Sequence, residues 1–423
     1  MKLLRHITLS LCAMVSCSLI FFPVTAQRSR RRRPSASKRP NKLPSIRFTY
    51  GSSALRIPFE LYDNGIFLKA QVNKSRPLTF SVDTGAGIFG VLTARTAESL
   101  GLKPKGKFRT GAVGGDIEFS SLDGVNISLP GIDLLNQKVA VLPFDNPNDD
   151  GPEVEGALGH DFLKQFVVEI DYGAGVINLY DPTSYQYSGA GKVVPIEIVD
   201  SSLMMRVRMT TDKGRVVEGR CIVDTGLSGT LVYHATFAKK HHLLAGLKTI
   251  QAATSEETGG EYRRRIGRVK SLQFGQIVIE HPVVSFSVAG DPSGESEMDG
   301  VIGTEIFRRF KLILDYERRR IIFEPNAHMA EPYEEDMSGL ALVPAGKGDA
   351  KLFKVQQVLA DTPAAEAGLR ANDLITAIDG TPASSFTLNQ LGKLFTQDGR
   401  EVSLSLKRGP KQIDAKLRLR RLI

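Results

Sequence analysis

The feature that most constrains this chain is an internal repeat. Residues 156–182 align without a gap with residues 300–326. Upstream, TFSVDTGAG at 79–87 is matched by RCIVDTGLS at 220–228. Because both ends of the unit recur at nearly equal spacing, we interpret each copy as one lobe of a duplicated fold. The shared positions of the downstream segment are Gly156 and Gly300, Gly159 and Gly303, Phe166 and Phe310, Asp171 and Asp315, Tyr172 and Tyr316, and Ile177 and Ile321.

The local pattern within each copy is typical of β-structure. Short runs rich in Val, Ile and Phe are separated by Gly, Asp, Asn and Pro, which indicates strands joined by turns. We therefore predict a mainly β fold with lobes at 46–186 and 187–328. Helices are expected to be short, at Thr93 to Leu100, Asp161 to Gln165, His234 to Leu243 and Glu305 to Arg309.

A third domain is predicted at 337–423, after a linker at 329–336. The linker is acidic and contains proline, so we expect it to be flexible. Residues 353–379 then read as a strand, a turn, a short Ala-rich helix ended by Gly368, and an apolar strand. Removal of this domain is therefore expected to leave the two lobes intact.

The N-terminal residues predict export. A basic stretch precedes an apolar run from Ile7 to Val24, and we interpret residues 1–26 as a signal peptide cleaved near Ala26. The alternative is a retained membrane anchor, although serines and Pro23 interrupt the run. The expected location is periplasmic or secreted.

The positive charge of the chain is concentrated at its N-terminus. Residues 1–42 hold 10 Lys or Arg and no acids, which leaves 45 bases against 46 acids in the remainder. We predict that residues 27–45 form a disordered tether, either as a spacer or in contact with anionic lipid or wall polymer. Since the folded part is nearly neutral, nucleic acid is not an expected partner.

Cysteine and histidine give no sign of a metal site or a disulfide. Cleavage of the signal peptide would leave Cys221 alone, and its apolar surroundings predict a buried structural thiol. The chain has no HExxH sequence, and His241 and His242 are adjacent. We therefore predict no metal and no cofactor.

The two Asp-Thr-Gly sequences carry the candidate chemistry. In each, an apolar strand delivers an aspartate, Asp83 or Asp224, to a tight turn. A pseudo-twofold axis would bring these carboxyls together, and two such groups share one proton because both cannot ionise cheaply. Such a pair can activate water without metal or covalent intermediate. The supporting residues are Thr84 and Thr225, which can brace the contact, Gly85 and Gly226, which allow close approach, and Gly159 and Gly303, which serve as scaffold.

A structural alternative is that each aspartate only caps its own turn. That interpretation explains one Asp-Thr-Gly sequence. It does not explain why the same turn recurs beside the same downstream segment, GALG at 156–159 and GVIG at 300–303.

The sequences DTGAG with GALG and DTGLS with GVIG resemble the signature pair of retropepsin-like aspartic peptidases, over about residues 46–328. The resemblance implies a bilobed β structure with Asp83 and Asp224 as the catalytic pair in the cleft. With both turns in one chain, a monomer is expected to suffice. The resemblance also implies glycine-rich flap hairpins, for which the candidates are Gly114, Gly115, Gly259 and Gly260. Unlike in pepsins, no Tyr is evident in the first flap.

The sequence TPAAEAGLRANDLITAIDG at 362–380 resembles PDZ domains attached to exported bacterial proteases. This resemblance implies binding of an extended peptide at a sheet edge and capture of its terminal carboxylate. The candidate binding residues are Gly339, Leu340, Ala341 and Leu342. The alternative is a domain that binds no peptide and only packs on the lobes.

Two functions remain open at this point. The first is an exported aspartic endopeptidase whose PDZ domain recruits protein or peptide substrates, and the second is a catalytically weak or inactive peptide-binding scaffold. A serine or cysteine hydrolase is disfavoured because the chain has no GxSxG sequence and no cysteine paired with histidine.

Overall fold

The computed structural model describes residues 43–112, 115–143, 151–252, 255–257, 260–289, 298–346 and 351–423. The fold is mainly β, as predicted. Within these residues no helix has the length and apolarity needed to cross a membrane. The predicted signal peptide and most of the predicted tether lie outside the described residues.

The first lobe is a sheet that carries two short helices. Its elements are β1 (Ser45–Phe48), β2 (Ser53–Tyr62), β3 (Gly65–Val72), β4 (Leu78–Val82), β5 (Gly90–Thr93), α1 (Ala94–Ser99), β6 (Lys105–Ala112), β7 (Gly115–Leu129), β8 (Ile132–Leu142), β9 (Gly156–Leu158), α2 (His160–Leu163), β10 (Val167–Asp171) and β11 (Val176–Tyr180). Strand β3 alternates between buried and exposed residues near its end, with Ala70 and Val72 buried, because one face lies on the core.

The second lobe repeats this plan with different strand lengths. Its elements are β12 (Lys192–Pro195), β13 (Glu197–Val199), β14 (Ser202–Thr210), β15 (Val216–Val223), β16 (Leu231–Tyr233), α3 (Ala235–Lys240), β17 (Thr249–Gln251), β18 (Ser255–Glu257), β19 (Gly260–Arg268), β20 (Ser271–Phe274), β21 (Ile277–Glu280), β22 (Val283–Ala289), β23 (Gly300–Ile302), α4 (Thr304–Phe307), β24 (Phe310–Asp315) and β25 (Arg320–Pro325). The four predicted helices are present as α1 to α4, each somewhat shorter than predicted.

The lobes are joined by a shared sheet in the order β12, β25, β24, β10, β11, β2. At its centre β10 pairs antiparallel with β24, so that Val167 faces Asp315 and Asp171 faces Lys311. Residues such as Ile170 and Leu312 are fully buried there, and one apolar core extends through both lobes. The sheet therefore fixes one lobe against the other. The exact boundary at 186/187 stays a prediction.

The C-terminal domain has a separate core of its own. Its elements are β26 (Leu340–Ala345), β27 (Leu352–Val358), α5 (Pro363–Glu366), β28 (Leu374–Ile378), β29 (Thr381–Pro382), α6 (Leu388–Phe395), β30 (Glu401–Arg408) and β31 (Lys411–Arg418). In β30, Val402, Leu404 and Leu406 alternate inward, as a half-buried antiparallel strand requires. The order β26, β27, β28, β30, β31 leaves β26 at an edge.

The connector differs from the prediction that it is flexible. Residues Ala327–Ala330 form a 3-10 helix, and the following stretch packs on the second lobe through Arg309, whose side chain is 0% exposed. The Arg309 guanidinium donates to the carbonyl oxygens of His328 at 3.1 Å and Pro332 at 3.3 Å, and also to that of Glu331. It stacks on the Tyr333 ring, 3.6 Å from its centroid. Composition alone did not reveal this, because the buried cation lies in another part of the chain.

Candidate active site

Both aspartates are held at the end of a strand by the same backbone arrangement. Strand β4 runs parallel to β9, and the Asp83 N–H donates to the Leu158 carbonyl at 3.0 Å. Strand β15 runs parallel to β23, and the Asp224 N–H donates to the Ile302 carbonyl at 3.0 Å. The repeat found in the sequence is therefore a repeat of site geometry.

Two threonines lock the aspartate loops to each other. The Thr84 N–H donates to Thr225 Oγ1 at 3.0 Å, and the Thr225 N–H donates to Thr84 Oγ1 at 2.9 Å. Each hydroxyl then donates across the interface, Thr84 to the Val223 carbonyl at 2.7 Å and Thr225 to the Val82 carbonyl at 2.9 Å. Because all these groups are buried, each bond satisfies a polar group that water cannot reach. The bracing predicted from sequence is present.

Glycine at two loop positions lets each carboxyl lie against the opposite loop. A Cβ atom on Gly85 would be 2.7 Å from Asp224 Cγ, and one on Gly226 would be 2.8 Å from Asp83 Cγ. No side chain fits at either point. The two carboxyls are therefore brought together across the lobe interface, which is the arrangement that the sequence predicted.

The loops also supply hydrogen bonds to the carboxyls. Asp83 Oδ1 accepts the N–H groups of Gly85 at 2.8 Å and Ala86 at 3.0 Å. Asp224 Oδ1 accepts the Gly226 N–H at 2.7 Å. These bonds hold one oxygen of each carboxyl toward its own loop. Each aspartate thus caps its turn, as the structural alternative requires, and also faces its counterpart.

Electrostatics favour a proton on the pair. Asp83 is 5% exposed and Asp224 is 0% exposed. Burial raises the pKa of Asp83 well above its usual value, the charge of Asp224 and a hydrogen bond with it raise it further, and the Gly85 and Ala86 amides oppose the shift. A buried carboxyl beside a second one costs less free energy when one proton is shared.

Gly159 and Gly303 act as scaffold in equivalent positions. A Cβ atom on Gly159 would lie 2.4 Å from the Ile88 carbonyl oxygen, and one on Gly303 would lie 2.4 Å from the Leu227 carbonyl oxygen. Both glycines thus allow the following helix to pack against the aspartate loop. His160 and Thr304 then donate their N–H groups to that loop at 2.7 Å.

Two of the four flap candidates, Gly115 and Gly260, each begin a strand that pairs antiparallel with the strand before it. Ala112 of β6 pairs with Gly115 of β7, and Glu257 of β18 pairs with Gly260 of β19. Gly114 and Gly259 lie outside the described residues. Ile117 of the first hairpin packs in a small apolar cluster with Ala86, Val91 and Leu142, which places β7 beside the Asp83 loop. The flap role itself stays a prediction.

The sequence reasoning missed a polar contact between the lobes beside the Asp224 loop. The Asn64 side-chain amide donates to the Ser228 carbonyl at 3.0 Å and to Glu305 Oε2 at 2.8 Å. Burial raises the pKa of the neighbouring Asp63, while a hydrogen bond with Ser228 lowers it. The Asp-Asn-Gly sequence at 63–65 signals a hairpin turn, but no local pattern indicates which loop that turn meets.

The PDZ candidates lie where the sequence placed them. Gly339 has φ +78° in the loop before β26, and Leu340, Ala341 and Leu342 begin that edge strand. The +78° conformation favours glycine, and Thr362 Oγ1 fills the space where a side chain would start. Peptide binding by these residues stays a prediction.

Within the described residues, no group of three or more His, Cys, Asp or Glu side chains could hold a metal ion. Cys221 is a buried free thiol, and burial raises its pKa well above the usual value. The candidate chemistry therefore rests on the two aspartates.

Two family comparisons agree with the two resemblances. Residues 68–162 match the aspartyl protease family and residues 339–419 match the PDZ domain family. Among solved structures, the chain is similar to the aspartic proteinase from Irpex lacteus, with 13% identity and a TM-score of 0.42 over 66% of this chain and 99% of that chain. No curated protein matches. This chain thus contains one segment that matches the aspartyl protease family and, nearer its C-terminus, one that matches the PDZ domain family.

Proposed function

We propose that the protein is an aspartic endopeptidase that uses Asp83 and Asp224 to hydrolyse peptide bonds in protein or peptide substrates. The observation that carries this proposal is reciprocal: each of Gly85 and Gly226 lies directly against the opposite aspartate. A pair of turns that only needed capping would not bring two buried carboxyls together at a free-energy cost.

The chemistry follows from one proton shared by two carboxyls. The ionised member accepts a proton from a water molecule, whose oxygen attacks the peptide carbonyl carbon. The protonated member donates its proton to the carbonyl oxygen. The tetrahedral intermediate then collapses, the C–N bond breaks, and the amine leaves with a proton returned by the pair. Acid and base roles belong to the pair in the free enzyme.

A cleavage assay tests this proposal. The protein lacking residues 1–26 would be incubated with a diverse peptide mixture across acidic to neutral pH, with and without pepstatin. We expect new peptide ends in the wild type, and a loss of at least about a thousandfold in either Asp83→Asn or Asp224→Asn. Asparagine keeps the Oδ1 acceptor, so both variants are expected to fold.

The competing function, a peptide-binding scaffold without activity, predicts no cleavage by the wild type under any condition. Near-wild-type turnover in either asparagine variant would place the chemistry elsewhere. A serine or cysteine mechanism predicts activity that survives both substitutions.

The proposed enzyme acts as a monomer. Both aspartate loops and the sheet that joins β10 to β24 belong to one chain. Activity per molecule is therefore expected to stay constant on dilution, with the mass followed by light scattering. A steep loss at low concentration would contradict this.

We also propose that the protein is exported to the periplasm or secreted, and that its PDZ domain recruits substrates. The support for export is the basic and apolar N-terminal sequence. The support for recruitment is the edge of β26 that no other described strand pairs with, and the gain in local substrate concentration from a tethered second site, roughly millimolar for a short linker.

A further inference from the structure

The loop that precedes β26 is where a PDZ-type domain captures the carboxylate of a ligand, through consecutive backbone N–H groups. Here those groups belong to Ser338, Gly339 and Leu340. The loop is closely packed: Ser338 is 0% exposed, and its carbonyl accepts the Ala364 N–H at 2.9 Å. This packing limits the acceptors that the backbone N–H groups of the loop can reach.

The donors of this loop are already engaged by a carboxylate of the same chain. Asp336 Oδ1 accepts the N–H of Ser338 at 2.8 Å, the N–H of Gly339 at 2.8 Å and the Ser338 hydroxyl at 2.7 Å. The Leu340 N–H donates to Ser338 Oγ at 3.1 Å, and its hydrogen bonding also lowers the pKa of Asp336. Asp336 thus makes the bonds that a terminal carboxylate would make.

A second carboxylate at this loop would meet like charge and find its donors occupied. Burial raises the pKa of Asp336 to about 6, and the loop hydrogen bonds oppose that shift. At neutral pH Asp336 is therefore mostly ionised. Glu335, the preceding residue, adds a further carboxyl near Asp336.

The rest of the binding surface is intact. Strand β26 pairs with β27 in the described sheet, so its other edge offers backbone N–H and C=O groups to an added strand. Helix α6 lies beside it, with the Phe395 carbonyl accepting the Met337 N–H at 2.9 Å. An extended peptide can therefore bind along β26 without using the loop.

Helix α6 lies within electrostatic reach of the first lobe. Lys393 of α6 is close enough to Asp63 to lower its pKa, and Asp63 forms a hydrogen bond with Ser228. Ser228 comes four residues after Asp224.

We propose that the PDZ domain binds an extended internal segment of a substrate chain and discriminates against a free C-terminus, because Asp336 occupies the loop as an internal carboxylate. This inference rests on the proposed function only in taking the bound chain to be a substrate. The discrimination itself is a property of the loop.

The test is a binding measurement on the full protein carrying Asp83→Asn, so that no peptide is cleaved. A randomised decapeptide pool is synthesised twice, once with free C-terminal carboxylates and once amidated, and the peptides retained by immobilised protein are quantified by mass spectrometry. With Asp336 present, we expect amides to be retained at least as well as acids. With Asp336→Ala added, the acid-to-amide ratio should rise about tenfold or more, since charge-assisted hydrogen bonds become available.

Asp336→Asn is the matched control. It keeps an oxygen for the loop donors but removes the charge, so its ratio should rise less than that of the alanine variant. It also guards against a misfolded alanine variant, since thermal unfolding of both is followed in parallel. Asp336 belongs to the loop before β26 and not to the aspartate loops, so a change in the ratio on its replacement reports on the PDZ loop.

Three outcomes would overturn the inference: a preference of more than tenfold for acids with Asp336 in place, an unchanged ratio after its replacement, or retention of neither pool. None of these depends on catalysis. Loss of cleavage by the wild-type protein would instead count against the proposed function alone.

Discussion

The two lobes differ little where the chemistry lies and much where the third domain attaches. Around Asp83 and Asp224, both lobes have the same strand pairing, the same threonine hydrogen bonds and the same close glycine contacts. Away from them, Gln165 of the first lobe corresponds to Arg309 of the second. The Gln165 side-chain amide donates to the Asp161 carbonyl of its own turn, at 2.9 Å, whereas the Arg309 guanidinium holds the connector.

The two lobes therefore resemble each other most where they contact each other, at the aspartate loops, and differ where no such contact constrains them. An aspartate loop is useful only when its counterpart can meet it, so both must keep small glycines and bonding threonines. The helices α2 and α4 have no such mutual constraint. In the second lobe, Glu305, Arg308 and Arg309 became a binding site for the chain's own connector.

The largest expected effect comes from breaking the symmetry at the glycines. Gly85→Ala or Gly226→Ala places a Cβ atom within 3 Å of the opposite carboxyl, so the pair must separate. We expect kcat/KM to fall by at least about a hundredfold in both variants, because a small misplacement of catalytic groups is costly.

The matched control is Gly229→Ala in the Asp224 loop. No atom lies within 4 Å of the position that its Cβ would take. Its kcat/KM should stay within about twofold of the wild type, since an exposed and unstrained site tolerates alanine. Equal losses in all three variants would mean that the loops are sensitive to any substitution, and that the contact between lobes is not the cause.

The second prediction concerns Arg309, which aligns with Gln165 of the first lobe. Arg309→Gln, the residue found at the equivalent position of the first lobe, removes a buried cation from four carbonyl oxygens and the Glu305 carboxylate. We expect a loss of about 3–5 kcal/mol in the free energy of unfolding, measured by urea denaturation.

Gln165→Ala is the control for that exchange, because its side-chain amide donates to a carbonyl of its own turn. We expect it to cost about 0.5–1 kcal/mol. If the two substitutions had similar effects, the connector would be held by contacts other than Arg309.

The third prediction concerns the threonines, where the lobes should respond alike. Thr84→Val and Thr225→Val keep the shape and remove a hydroxyl that donates and accepts. Each is expected to lower the free energy of unfolding by about 1–3 kcal/mol, because buried backbone groups lose their partners. In the double variant the loss should be less than additive, since the two hydroxyls act in one network. Strict additivity in a double-mutant cycle would show that the two braces act independently.

The smallest effect is a dependence of stability on pH. The pKa of Asp83 is raised in the folded protein above its usual 3.8, so the folded state binds the proton more tightly than the unfolded state. Stability from this group is fully present below about pH 4 and is lost as the pH rises through the raised pKa. Asp83→Asn is therefore expected to have the higher melting temperature at neutral pH, with the difference shrinking toward pH 4. A constant difference across that range would exclude the linkage.

The repeat made the aspartate site predictable from sequence. Two copies of a tight turn, each with its downstream glycine, fix both the local structure and the need for a counterpart, so the pairing of Asp83 and Asp224 followed. The connector and the Asp63 turn were not predictable in the same way. Ser228 is distant in sequence from the Asp63 turn. Arg309 is nearer to the connector, but a buried arginine cannot be told from an exposed one when its neighbours are unknown.

The PDZ loop shows a third case. The position of Gly339 to Leu342 was readable, because the helix and strand that follow have a specific sequence. The sequence did not predict that Asp336 occupies the loop, since an aspartate three residues before a glycine is also an ordinary turn former. Only the arrangement of the donors around Asp336 shows that the loop is filled.

The pairing of β10 with β24 has a consequence for biosynthesis. When the first half of the chain has been made, β10 has its β11 neighbour but lacks the strand that ends at Asp315. Until then its edge exposes backbone donors beside Val167, Val168 and Ile170, the kind of apolar edge on which strands of other chains pair. A chain whose synthesis ends before β24 would therefore expose this edge and be prone to aggregate. Efficient production should require either rapid completion of the chain or a chaperone that covers this edge.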